Sequence, residues 1–203
     1  MSLEETRYVL ETGLTVDRHF AEHQEVVGLD MALKFINGTL VPRQGPLDFS
    51  DVLGIHLRVY GFVNPFEAGV VRHRQVYIQK TVPPAPGKPL EAAIRRFDQW
   101  LKHHTDNRAG QGVHPVVLSA IAHHRLTYIH PFIDGNGRTA RALVNLLMMR
   151  ARFPPIVIPV QQRDTYFRAL HFANDGDLRP FVRFIGRCVE DAIRKYLDAA
   201  NSF

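Results

Sequence analysis

The residues of this chain best suited to chemistry fall in the stretch 130–141, which reads His-Pro-Phe-Ile-Asp-Gly-Asn-Gly-Arg-Thr-Ala-Arg. Gly135 and Gly137 allow the backbone to turn sharply and to approach a ligand without obstruction by side chains. Since a helix is predicted to begin near Gly137, the unpaired amide groups of its first turn would favour a bound anion. The stretch therefore predicts a phosphate cradle.

The charged side chains around this cradle fit the transfer of a phosphoryl-linked group. Arg138 and Arg141 are three residues apart on the predicted helix, so both are expected to face the cradle and to offer forked donors to phosphate oxygens. Asp134 supplies a hard oxygen ligand for Mg²⁺. His130, with an ordinary pKa of about 6.5, supplies a neutral imidazole that can take a proton from an incoming hydroxyl. The set predicts a hydroxyl nucleophile, an α-phosphoryl electrophile and a metal-chelated pyrophosphate leaving group.

Each feature also has a plainer interpretation. A single Gly-x-Gly is usually only a turn, and arginines three apart often mark a solvated helix face, but their occurrence together with a base and a carboxylate favours a functional site. The adjacent pairs His103-His104 and His123-His124 point to different helix faces, which disfavours zinc and favours surface or helix-end histidines. Cys188 is expected to be a packed core thiol, and Phe132 with Ile133 is expected to anchor the loop against the core.

Composition indicates one soluble domain. The 203 residues are 45% hydrophobic and 22% charged, with a formal net charge of +5. Residues 130–203 carry 11 Lys/Arg against 7 Asp/Glu, but without a basic run, so a polyphosphate ligand is favoured over nucleic acid. One cysteine excludes an internal disulfide, and no apolar run or signal-peptide pattern predicts membrane contact. A cytosolic protein and a fragment without its targeting segment both remain open.

Hydrophobic spacing predicts a mostly α class with one small β element. A single domain over residues 1–203 is expected to contain a helical part at 1–68, a hairpin at 69–82, motif helices at 114–152 and carboxy-terminal helices at 161–199. The β-branched and aromatic residues of 69–82 predict a short extended segment or hairpin. The first helix is predicted from Ser2, which has capping-box spacing to Glu5, to Gly13. Further helices are predicted from Asp17 to Gly38, after Ser50, around Ile94–Leu101 and Val117–Tyr128, from Gly137 to Arg150, at 161–174 and at 180–199. Pro180 is expected in the first turn of the last helix.

The stretch 130–141 resembles the signature of the Fic family, His-x-Phe-x-Asp/Glu-Gly-Asn-Gly-Arg-x-x-Arg, at every fixed position. Segments including 59–65, 67–69, 174–177 and 179–181 are similar to the animal endoplasmic-reticulum branch of that family. The resemblance implies an all-α Fic fold with a β-hairpin flap and transfer of AMP from ATP to a protein hydroxyl.

The same resemblance implies a role for each site residue. His130 would be the base, Asp134 the Mg²⁺ ligand, Asn136 with the amides of Gly135 to Arg138 the α-phosphate site, and Arg138 with Arg141 the site for the β- and γ-phosphates. Residues expected to contact the adenosine are Tyr166, Phe167 and Asn174, and those of the flap strand that pairs with the target are Val76, Tyr77 and Ile78.

The resemblance also implies a setting. In that branch the target is the heat-shock chaperone BiP in the endoplasmic-reticulum lumen, and members carry upstream a membrane anchor, a tetratricopeptide region and an inhibitory helix with Ser/Thr-x-x-x-Glu-Gly. This chain aligns just after that motif, so we expect unrestrained AMP transfer, including self-modification, and weak removal of AMP. Transfer of UMP or phosphocholine and a non-catalytic nucleotide-binding module remain alternatives. Phe20 makes a homodimer possible.

Overall fold

The computed structural model describes residues 2–12, 20–78, 81–106 and 112–202, apart from the side chains of Leu3, Phe20 and Ala21. These ranges are mainly helical, as the hydrophobic spacing predicts. Within them, no helix is long and apolar enough to cross a membrane. The helices are α1 (Leu3–Thr12), α2 (Phe20–Phe35), α3 (Phe49–Gly61), α4 (Lys88–Thr105), α5 (Pro115–Ile129), α6 (Asn136–Arg150), α7 (Arg163–Asn174) and α8 (Arg179–Ala200), with a π-helical turn at Ile36–Leu40 and a 3₁₀ turn at Val160–Gln162.

Several helices begin where local chemistry predicts. The Ser2 hydroxyl accepts from the Glu5 amide at 3.1 Å while the Glu5 carboxylate accepts from the Ser2 amide at 2.6 Å, which confirms the capping box of α1. Pro180 lies in the first turn of α8, as expected. The start of α3 differs by two residues, because Asp48 rather than Ser50 caps it. The predicted boundary residues Gly13 and Asp17 lie outside the described residues.

Two apolar clusters flank α6 and position the site. The first packs α2, α3 and α4 against α5 and α6, and the second packs α7 and α8 against the opposite side of α5 and α6. Cys188 lies buried in the second cluster, where burial raises the pKa of its thiol to about 11, so the expected core thiol is confirmed. Because both faces of α5 and α6 are covered, the loop that joins them is held from two sides.

The segment 69–82, expected to be a short extended segment or hairpin, is extended over its described residues. Among the described residues of this segment, the only strand-like pairing is one antiparallel bridge between Ile78 and Thr81. The chain is extended, in keeping with its β-branched residues, but the Arg72 guanidinium binds carbonyls that a strand ladder would use, at Arg74 (3.0 Å) and Pro84 (2.6 Å). We call residues 69–84 the flap. Side chains rather than paired strands fix it in place.

Helices α2 and α3 approach closely at Gly28, where a Cβ atom would lie 2.5 Å from the Val59 carbonyl oxygen. A backbone oxygen cannot yield as a flexible side chain can, so we expect Gly28→Ala to lower the free energy of unfolding by about 1–3 kcal/mol. In Gly186→Ala, on α8, the new Cβ would meet only Val116 Cγ1 at 3.8 Å. That control should gain about 0.5–1 kcal/mol from helix propensity. Urea unfolding of both variants checks the pair, and equal stabilities would contradict the packing of α2 on α3.

Candidate active site

The loop between α5 and α6 is anchored by a buried aromatic ring. Phe132 is fully buried and stacks on the imidazole of His56, with ring centroids 3.7 Å apart and planes within 1°. It also stacks on Phe49 at 6.4 Å. This confirms the expected anchoring role of Phe132. The backbone atoms on both sides of Phe132 are therefore fixed relative to the first cluster.

His130 ends α5 in the left-handed conformation, with φ 51° and ψ 60°. Its Nδ1 lies 3.1 Å from the Thr127 carbonyl oxygen, and since a carbonyl can only accept, Nδ1 carries the proton. Nε2 is then the unprotonated nitrogen. Burial lowers the pKa of His130 below its ordinary 6.5, and the charge of Arg72 adds to that effect against the opposing influence of Thr127 and Asp134. The imidazole is therefore prepared as a neutral base.

His56, which the sequence analysis did not single out, joins the loop to the flap. Its Nδ1 accepts from the Gly69 amide at 2.9 Å, so Nε2 carries the proton and donates to the Asp134 carbonyl at 3.0 Å. The ring is fully buried, and burial lowers the pKa of His56 to about 4. Gly135 adopts φ 76°, and a Cβ there would lie 3.1 Å from His56 Nε2. Close approach and backbone conformation therefore both require glycine at this position.

The start of α6 offers amide donors as predicted, and the Asn136 side chain bonds the backbone of the motif loop. The first intrahelical bond runs from the Thr139 amide to the Gly135 carbonyl at 2.9 Å, so the amides of Asn136, Gly137 and Arg138 precede it. The Asn136 side chain is buried and bonds the Phe132 amide (3.0 Å) and carbonyl (2.9 Å). The side chain therefore closes the loop, and the α-phosphate role expected for Asn136 stays a prediction.

The two motif arginines have different neighbours in this structure, and the phosphate-binding role expected for both stays a prediction. Arg138 forms ion pairs with Glu25 of α2 at 2.8 Å and with Asp134 at 3.3 Å, and it lies over the Tyr60 ring. Arg141 points toward α7, where it contacts the Tyr166 hydroxyl and lines a cavity. Glu25 is a second residue that sequence reasoning missed, because its partner is distant in the chain.

This cavity has a volume of about 170 Å³ and lies between the flap, the loop and α7. It brings together two flap residues, Ile78 and Thr81, the expected base and the residues expected to contact adenosine. The predicted site residues that line it are Ile78, His130, Gly137, Arg141, Tyr166, Phe167 and Asn174. Those that do not line it are Val76, Tyr77, Asp134, Gly135, Asn136 and Arg138. Asp134 is nonetheless accessible, with 62% of its side chain exposed beside the loop.

The wall of the cavity opposite the loop depends on two histidines of α5. Tyr166 Oη lies 3.1 Å from His123 Nε2. His123 is fully buried, and burial lowers its pKa to about 3, so its predicted surface or helix-end position is wrong. His124 Nε2 lies 2.9 Å from Asn174 Oδ1, while Asn174 Nδ2 donates to the Thr81 hydroxyl at 2.9 Å. Asn174 thus connects this wall to the flap.

Helical architecture, motif loop and cavity together define the class of protein. Residues 46–148 match the family described as Fic/DOC, and the chain belongs to this family. It is 48% identical over 202 residues to a protein adenylyltransferase Fic of Drosophila grimshawi, a match that covers 99% of this chain and 41% of that protein. The chain thus spans about two fifths of the length of that relative.

Solved structures show the same fold. A fragment of Fic-1 from C. elegans superposes with a TM-score of 0.89 at 40% identity, covering 100% of this chain and 59% of that chain. A Fic-domain signaling protein from Bacteroides thetaiotaomicron superposes with a TM-score of 0.88 at 24% identity, covering 100% and 81% of the two chains. The second match supports the fold alone. The all-α fold predicted from the sequence is therefore confirmed.

Neutral, buried His56 predicts a pH dependence of stability. Its pKa is about 4 in the folded protein and about 6.5 unfolded, so between these values the unfolded chain binds more protons and stability falls as pH falls. His56→Gln keeps a donor and an acceptor but cannot titrate. We expect its stability relative to wild type to improve by up to about 1.4 kcal/mol per pH unit as pH falls from 6.5 toward 4. Urea unfolding at pH 5 and pH 7 measures this change, and parallel pH curves for the two proteins would contradict it.

Proposed function

We propose that this chain transfers AMP from ATP to a hydroxyl group of a protein, with release of pyrophosphate. The observation that carries the proposal is the state of His130: its Nδ1 proton is bonded to the Thr127 carbonyl, and its ring lines the same cavity as Gly137 and Arg141. A group that only binds a nucleotide requires no unprotonated Nε2 at that place. The names and sequence identities of the family relatives support the same reaction.

In the proposed reaction, His130 Nε2 takes the proton of the target hydroxyl as its oxygen bonds to the α-phosphorus of ATP. The bond from that phosphorus to the pyrophosphate oxygen breaks, and the pyrophosphate leaves with the electron pair. Amides at the start of α6 stabilise the charge on the α-phosphate oxygens. Arg141, which lines the cavity, and Arg138, once it exchanges an acidic partner for phosphate, hold the β- and γ-phosphates.

Asp134 is the proposed ligand for Mg²⁺. Within the described residues no group of three or more His, Cys, Asp or Glu side chains could enclose a metal ion. A single exposed carboxylate fits Mg²⁺, which commonly binds one or two carboxylates, several waters and substrate phosphates. When bound there, Mg²⁺ would neutralise part of the charge of the leaving pyrophosphate. Asp134 Oδ1 accepts from the Gly135 amide, which leaves Oδ2, now paired with Arg138, as the exchangeable oxygen.

The flap is the proposed docking edge for the target. Tyr77 is 82% exposed while the neighbouring Ile78 lines the cavity, so alternate side chains face solvent and site. An extended target segment added along Val76–Ile78 would place its hydroxyl above His130. By the family resemblance, we propose a BiP-type heat-shock chaperone of the endoplasmic-reticulum lumen as that target and self-modification as a side reaction. A homodimer through α2 stays a prediction, because the Phe20 side chain lies outside the described residues.

Transfer of UMP or phosphocholine by the same residues is the second candidate, since the α6 amides and Arg141 contact phosphates rather than a base. Tyr166, Phe167 and Asn174 on the cavity wall favour a purine, because they offer two aromatic rings and an amide. Competition of labelled ATP with unlabelled UTP or CDP-choline separates the candidates. Only the true donor should suppress labelling at concentrations near its own KM.

His130→Ala is expected to lower AMP transfer by at least about 100-fold, because it removes the general base. ATP binding should change by less than about threefold, since the phosphate and adenosine contacts remain. Incubation with labelled ATP and Mg²⁺ measures transfer, and calorimetry measures ATP affinity. His103→Ala, at an exposed position on α4, is the control and should transfer AMP as wild type does. Labelling that is equal in wild type and His130→Ala would refute the proposed base.

The lowered pKa of His130 predicts the pH profile of the reaction. The base works only when unprotonated, so a folded pKa below 6.5 keeps transfer active at mildly acidic pH. The acid limb of kcat/KM should therefore have its midpoint below 6.5. Initial rates between pH 5 and pH 8 test this expectation. A midpoint above 6.5 would show that the imidazole is exposed to solvent or next to an uncompensated negative charge.

A further inference from the structure

Arg72 in the flap is among the most buried large side chains of the described residues, at 2% exposure. Its guanidinium binds three backbone carbonyls: Nε donates to His130 at 2.7 Å, Nη1 to Arg74 at 3.0 Å and Nη2 to Pro84 at 2.6 Å. In addition, the Arg72 amide donates to the Pro131 carbonyl at 2.9 Å. The side chain and backbone amide of one residue therefore connect the beginning and the end of the flap to the first two residues of the motif.

Burial of a charged guanidinium to fix a loop carries a desolvation cost. Within the described ranges, Arg72 has no carboxylate within ion-pair distance, so neutral carbonyl dipoles alone stabilise the buried charge. Arginine stays protonated in proteins, and its planar fork can reach three acceptors in fixed directions. A lysine would supply the charge without that geometry. A hydrophobic residue of similar volume could not bind these three carbonyls.

The carbonyl that Arg72 Nε binds belongs to the one described non-glycine residue of the motif with positive φ. His130 and Arg152 are the non-glycine residues with positive φ in the described part of the chain. A histidine in the left-handed region is strained and persists only where its surroundings fix it. The His130 amide is bonded to Leu126 and its ring to Thr127, so the Arg72 bond fixes the third polar group of that residue.

We propose that Arg72 is a positioning residue for His130: it holds that residue in the left-handed conformation and ties the imidazole to the flap as one unit. The proposal rests on the proposed function, in which His130 is the base and the flap receives the target. Arg72 itself does not line the cavity. Its effect passes through the His130 backbone, and the docking edge keeps a fixed separation from the base because one guanidinium binds His130 and also Arg74 and Pro84, on either side of that edge.

The charge of Arg72 adds an electrostatic effect to this geometry. Together with burial, it lowers the pKa of His130, while Asp134 opposes the change. The remaining titratable or charged groups that line the cavity with His130 are Tyr128, Arg141, Tyr166 and His171. A neutral residue in place of Arg72 therefore raises the pKa of His130, whereas lysine leaves a positive charge nearby. The two substitutions separate charge from geometry.

The test compares Arg72→Met and Arg72→Lys by ¹⁵N NMR of the imidazoles, with His130 assigned through His130→Ala. In both variants we expect His130 to lose its exclusive Nδ1-protonated form, because its ring is no longer fixed against Thr127. In Arg72→Met the pKa of His130 should also rise. Arg150→Met is the matched control: Arg150 Nη2 also binds two carbonyls, at Arg43 (2.9 Å) and Gly45 (2.6 Å), far from the cavity. It should leave His130 unchanged.

Kinetics give a second readout. Arg72→Lys is expected to lower kcat for AMP transfer by about 100-fold through misplacement of the base, with KM for ATP within about twofold of wild type. If Arg72→Met does not fold, the tautomer of His130 in Arg72→Lys decides. The proposal is overturned if His130 keeps its wild-type tautomer in the folded Arg72 variants, or if Arg150→Met alters it equally. The NMR measurement needs no ATP, so it stands even if the chain transfers no AMP.

Discussion

The contact on which the site depends is the double hydrogen bond of His56, from the Gly69 amide and to the Asp134 carbonyl. The flap and the motif loop are both irregular, so their backbone groups cannot find partners within a helix or sheet and must find them elsewhere. A neutral imidazole provides one acceptor and one donor in a single ring. Burial keeps it neutral, since its pKa is about 4. One side chain of a regular helix therefore sets the separation of two segments that have no regular structure.

Side chains of the motif helix α6 contact two different parts of the fold. On the side of the first cluster, the close approach of α2 to α3 at Gly28 brings Glu25 to Arg138. On the side of the second cluster, Arg141 contacts Tyr166, which is bonded to buried His123. The two arginines differ in position by three residues, which rotates them about 60° apart around the helix axis. That rotation is enough to give them different partners, and only Arg141 faces the cavity.

The features that could be predicted from the sequence are those set by residues close together in the chain. Residue types, and patterns whose members are at most four residues apart, predict the cap at Ser2, the start of α6 beside Gly135 and the buried Phe132. The surface or helix-end position predicted for His123 was wrong because its partner Tyr166 lies 43 positions away in the chain. Nothing near Arg72 in the sequence indicates that it binds the carbonyl of a residue 58 positions away. The positions that fix the site, His56 and Arg72, were missed for the same reason.

Asn174 shows how the cavity can be closed by the flap and still bind a ligand. A carboxamide has two N–H donors and an oxygen with two lone pairs. The bond to Thr81 uses one donor, and the contact with His124 uses one acceptor position. One N–H and one lone pair therefore remain on a side chain that lines the cavity. A ligand with a matching acceptor and donor, as a purine edge has, can bind Asn174 without displacing Thr81, so ligand binding and flap closure are compatible.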